Sequence, residues 1–223
     1  MTKLLVLTPH CDDETISCGG YIARTIAEGG EVLVVIASVS EIEFLHKGIV
    51  PIEDRVGELE HALEKLGGCE FELLTTGYES NLHQYSMGKL VASMDKVQNN
   101  FCPDEVLIPL PSCHQDHVFM HTACVATTRP SRYKHQPRLI AAYEYPLTNW
   151  GEGADANASK GGMYVDVTGF WPQKVEALGC YESQMRERQD LISTPGCEVL
   201  AKMRGLEIGV EYAELFHIMR YRR

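Results

Sequence analysis

Residues 3–16 read KLLVLTPHCDDETI, an apolar run that stops at Thr8-Pro9 and gives way to a histidine, a cysteine and three acids. Leu4-Leu5-Val6-Leu7 leaves no room for a helix and fits a strand buried on both faces. Asp12 and Asp13 stand where an N-cap and a first helical turn belong, and Ile16, Tyr21-Ile22 and Ile26 follow at helical spacing until Gly29-Gly30. The next strand spans 31–39, apolar on both faces through Val32-Leu33-Val34-Val35-Ile36. Two fully apolar strands separated by a helix predict parallel pairing through a right-handed crossover.

The alternation continues outward from this unit. Helices are expected over 53–66, 89–100, 118–128 and 171–184, and strands over 71–75, 105–110, 138–145, 163–168 and 211–220, with a further strand ending in the polar cluster 112–117. The pattern predicts a mostly parallel, three-layer α/β sandwich, and the length suits one domain over 1–223. Residues 151–162, GEGADANASKGG, are a lid candidate, with an ordinary surface loop as the plain alternative.

Composition narrows the function classes. The 20 basic and 31 acidic residues leave a net charge of −11, which opposes binding to nucleic acid or anionic lipid. No stretch approaches the roughly 18 apolar residues of a membrane span and no signal-peptide pattern opens the chain, so a cytoplasmic protein is expected. The eight cysteines are dispersed without a C-x-x-C pair and read as reduced thiols. A symmetric homo-oligomer is favoured, as for many soluble enzymes.

Two polar clusters follow expected strands: His10-Cys11-Asp12-Asp13-Glu14, and His114-Gln115-Asp116-His117. Parallel sheets bind ligands beyond such strand ends. His10 and Asp13, three residues apart, can converge on one point, with His117 supplying a third ligand from the facing loop. Two imidazoles and a carboxylate suit one zinc ion per chain with an open position for water, whose pKa it lowers to near 7. Asp12 is then placed to take the proton from that water. Asp116 would orient His114 and raise its pKa, so that a cationic His114 stabilises an oxyanion. The plain alternatives are helix capping by the acids and a surface pair of histidines. Capping leaves His10 unexplained.

These two clusters resemble the H-P-D-D-E and H-x-D-H motifs of the LmbE-like, or PIG-L, zinc N-deacetylases. Arg55-x-x-Glu58 with Leu66-Gly67, Tyr181-x-Ser183-Gln184 and the segment 209–216 extend the resemblance over almost the whole chain. The resemblance implies a Rossmann-like fold and hydrolysis of the N-acetyl group of an amino-sugar conjugate of the N-acetylglucosamine type. It assigns zinc to His10, Asp13 and His117, the general base to Asp12, oxyanion stabilisation to His114 oriented by Asp116, and substrate contact to Arg55. The plain reading of Arg55 is an ion pair with Glu58 or Glu60. Cys11 and Gln115 stand where the family usually has proline, which bears on metal choice and, through the thiol, on sensitivity to oxidation. An amidase for another N-acyl sugar conjugate and a catalytically silent sugar-binding protein are the competing functions.

Overall fold

The computed structural model describes residues 1–44, 48–130, 135–146, 162–187 and 190–223. In chain order the strands are β1 (Lys3–Thr8), β2 (Glu31–Val39), β3 (Ile42–Phe44), β4 (Gly48–Val50), β5 (Glu70–Thr76), β6 (Glu105–Pro109), β7 (Leu139–Tyr143), β8 (Gly162–Asp166) and β9 (Ala213–Tyr221). The helices are α1 (Asp13–Ala27), α2 (Ile52–Lys65), α3 (Met87–Phe101), α4 (Gln115–Thr127), α5 (Trp171–Gly179) and α6 (Thr194–Ile208). No helix among the described residues is long and apolar enough to cross a membrane.

Seven strands form one sheet in the order β5-β2-β1-β6-β7-β9-β8. The first five run parallel, whereas β9 lies antiparallel between β7 and β8. Alternation along β1 explains both layers. Leu4 and Val6 face a core with Ile22 of α1, Leu59 of α2 and Ala177 of α5, while Leu5 and Leu7 face Leu90 and Met94 of α3 and Met120 of α4. The result is a three-layer α/β sandwich. Glu70 is exposed on the edge strand β5, a charge that discourages pairing with another chain.

The strand order reverses direction between β1 and β6, because the chain moves outward from β1 to β2 and β5 and then returns to β6. Such switch points open a crevice at the carboxyl ends of the strands. Both polar clusters lie there.

Several boundaries differ from the sequence reading. The residues 112–117 do not end a strand: His114 is the N-cap of α4, and the helix begins at Gln115. Helix α5 stops at Gly179, short of Gln184. The β3–β4 hairpin and α6 went unread. Helix α6 is capped by Ser193, whose Oγ accepts from the Gly196 amide at 3.1 Å, but Val199, Met203 and Leu206 are exposed, so no clean apolar stripe marks it. The lid candidate over 151–162 lies outside the described residues except for Gly162, which starts β8.

Candidate active site

The turn from β1 into α1 builds one wall. Asp12 holds the N-cap position, yet its side chain makes no capping bond, and its φ of 133° lies in a region that side-chain-bearing residues avoid. Buried Glu14 stabilises this turn: its Oε2 accepts the Asp12 amide at 3.1 Å, and its Oε1 accepts the hydroxyls of Thr15, at 2.7 Å, and of Tyr181. Capping therefore does not explain Asp12. Burial and the adjacent Asp13 push the Asp12 carboxyl well above the usual carboxylate range.

The N-terminus of α4 builds the facing wall. Nitrogens of His10, His114 and His117 lie within 4.8 Å of one another, a cluster able to hold a metal ion. Asp13 joins them: its Oδ2 is 3.2 Å from His10 Nδ1, and its Oδ1 is 3.4 Å from His117 Nε2. That Oδ1 is buried and accepts no hydrogen bond, an orphan that a cation would satisfy. Burial alone would raise the Asp13 pKa, but His117 and His10 drive it far below the carboxylate range. Burial likewise opposes a charged His10, yet its bonds to Asp116 and Asp13 carry its pKa upward.

The role of Asp116 is corrected by its contacts. Its Oδ2 accepts from His10 Nε2 at 3.0 Å and its Oδ1 from the Leu82 amide at 3.0 Å, so the carboxylate orients His10 rather than His114. His114 is held instead by the Asp116 backbone amide, which donates to its Nδ1 at 3.2 Å. Nor is His114 raised toward a cation. Burial and the neighbouring His10 and His117 pull its pKa down to about 4.

These residues open on a cavity of about 210 Å³ whose wall includes His10, Asp12, Glu79, His114, His117, Tyr145 and Arg186. Arg55 is not on that wall. It is buried, with its Nη1 bonded to Glu79 and, at 3.1 Å, to the Ser40 carbonyl, so Glu79 faces the cavity and Arg55 backs it. Neither Glu58 nor Glu60 is its partner, for Glu58 accepts the Ser183 amide at 2.7 Å and hydroxyl at 2.5 Å. Sequence reasoning missed Glu79, which no motif marks. Of the three aromatics considered as a sugar platform, Tyr145 packs its ring against His117 at 4.6 Å, Tyr143 is buried with its hydroxyl on the Leu7 carbonyl, and Trp150 is outside the described residues. Cys11 is 1% exposed and burial pushes its thiol pKa well up, so the expected sensitivity to oxidation has no basis there.

The chain matches the PIG-L family, described as GlcNAc-PI de-N-acetylase, over residues 5–128. A 1D-myo-inositol 2-acetamido-2-deoxy-alpha-D-glucopyranoside deacetylase of Saccharomonospora viridis is 29% identical over 160 residues, which span 57% of this chain and 58% of that relative. The match thus covers less than two thirds of the relative's length. The N,N'-diacetylchitobiose deacetylase of Pyrococcus horikoshii superposes with a TM-score of 0.80 at 22% identity, over 98% of this chain and 84% of that one. The 4-carboxy-2-hydroxymuconate hydratase of Pseudomonas putida gives a TM-score of 0.80 at 19% identity, over 100% and 98%. These structures speak for the fold, which serves both a deacetylase and a hydratase and so leaves the chemistry to the site. With both motifs at the switch point of the sheet and the family match spanning more than half of its length, the chain belongs to the PIG-L family.

Proposed function

We propose that this protein is a zinc-dependent hydrolase that removes the N-acetyl group from an amino-sugar conjugate of the N-acetylglucosamine type. The observation that carries the reading is the convergence of Asp12, His10 and His117 on one cavity, with buried Asp13 in contact with both imidazoles. Asp13 lies 3.2 Å from His10 through one carboxylate oxygen and 3.4 Å from His117 through the other, and two imidazoles with a carboxylate are a donor set that zinc takes. When bound, the metal supplies Lewis acidity toward the amide carbonyl and the hydrolytic water.

The remaining steps belong to the side chains. Asp12, its pKa raised by burial and by Asp13, is the general base that accepts a proton from water and later returns it to the leaving amine. His114 accepts the Asp116 amide at Nδ1, so the neutral ring keeps its proton on Nε2 and donates it to the oxyanion. Neutrality is no handicap, because the donor is an N–H and not a charge. Asp116 fixes the ring of His10, and Arg55 neutralises Glu79, which accepts from sugar hydroxyls.

Acetate release from N-acetylglucosamine glycosides tests the reading. The zinc-loaded protein is expected to release acetate, to lose the activity with chelator and to recover it on zinc addition. Zinc-loaded protein that binds these glycosides but releases no acetate would overturn it in favour of the silent sugar-binding alternative.

A further inference from the structure

The segment after α5 forms a part of the cavity wall that neither motif explains. Its backbone is fixed on both sides: Glu58 of α2 takes the amide and hydroxyl of Ser183, Met185 N donates to the Tyr181 carbonyl at 2.9 Å, and Arg186 N donates to the Ile192 carbonyl at 2.9 Å. This frame brings Gln184 and Arg186 to the cavity, where Arg186 is the only lysine or arginine among the described lining residues. The opposing carboxylate Glu79 is already neutralised from behind by Arg55.

The guanidinium of Arg186 is underused. It offers five donors, and one of them reaches Asp190 Oδ2 at 3.3 Å in a pair whose arginine side chain is 57% exposed. Exposed pairs of this kind contribute about 0–1 kcal/mol, so a ligand anion exchanges for Asp190 at little cost. The planar fork matches a carboxylate or a phosphate. In a chain of net charge −11, a cation retained at this wall opposes the general repulsion an anionic substrate meets.

Building on the deacetylase reading above, we propose that Arg186 is a specificity residue and that the substrate carries an anionic group, carboxylate or phosphate, on the part outside its acetamido unit. The test compares three probes, the methyl glycoside of N-acetylglucosamine, N-acetylglucosamine 1-phosphate and the glycoside of N-acetylglucosamine with glycolic acid, on the zinc-loaded protein and on Arg186→Gln and Arg186→Lys. The wild type is expected to favour one anionic probe over the neutral one by tenfold or more in kcat/KM, through KM. In Arg186→Gln that preference falls to within twofold, and Arg186→Lys keeps part of it; the preferred anionic probe separates phosphate from carboxylate. A wild type without the preference, or an Arg186→Gln protein that retains it, overturns the proposal. Should none of the probes yield acetate, the deacetylase reading fails on its own, and calorimetric binding of the same probes still decides the subsite: tenfold weaker anion binding in Arg186→Gln supports it and equal binding refutes it.

Discussion

Asp12 shows how a single residue is bent to a task. Its backbone sits at φ 133° without a capping bond, a conformation that costs on the order of 1–3 kcal/mol, and its carboxyl is buried beside a second carboxylate that is firmly ionised. Burial and Asp13 outweigh the attraction of His10 and Arg55 for that charge. Asp12→Asn is therefore expected to cut kcat by about 10²–10⁴ while raising the unfolding free energy of the metal-free protein by about 1 kcal/mol, a trade between stability and activity. Steady-state kinetics and urea unfolding on the same preparation check both arms. A variant that loses stability along with activity would make Asp12 a structural residue of the turn. The sequence exposed Asp12 because capping accounts for acids at a helix start but not for the histidine before them; it hid the partner of Asp116, which lies 106 residues away at His10.

At the level of elements, the parallel half of the sheet was legible because β1, β2, β6 and β7 are apolar on both faces, a pattern that only central strands carry. The antiparallel end was not, since nothing in the run 213–221 says that it inserts between β7 and β8. What fixes that end is partly polar. Lys174 of α5 and Glu214 of β9 form a buried pair at 2.6 Å, and Glu214 also accepts the amides of Gly20, at 2.8 Å, and Tyr21, at 2.9 Å, from α1. Gly20 is required here, because a Cβ would meet Val167 at 2.6 Å. One carboxylate thus joins three elements. Lys174→Met strands its charge and is expected to cost about 3–5 kcal/mol; adding Glu214→Gln removes that charge and is expected to recover part of the loss. Equal destabilisation in the single and double variants, measured by urea unfolding, would show that packing and not charge dominates this junction.

Across the whole molecule, the apolar layers and the candidate metal site are separable. Both cores are continuous on the two faces of the sheet, and His10 after β1, Asp13 at the start of α1 and His117 in the first turn of α4 belong to neither of them. The zinc-loaded protein is therefore expected to remain folded when the metal is stripped from it, unlike small domains whose folding is supplied by zinc. What changes is the balance at the site. Without a cation, Asp13 Oδ1 remains buried and unbonded, and the folded state lacks the binding free energy that an ion contributes, about 2.7 kcal/mol at a free metal concentration one hundred times Kd. Chelation should lower the thermal midpoint without loss of secondary structure, and zinc titration should raise it in proportion to the logarithm of free zinc. His117→Ala should abolish that rise, and the chelated variant should unfold below the chelated wild type only by what the lost ring contact with Tyr145 contributes, because both sheet cores stay intact. Unfolding of the wild type on chelation would mean that the site is a structural clasp of the sheet, and a zinc-dependent rise in His117→Ala would move the metal to a different set of ligands.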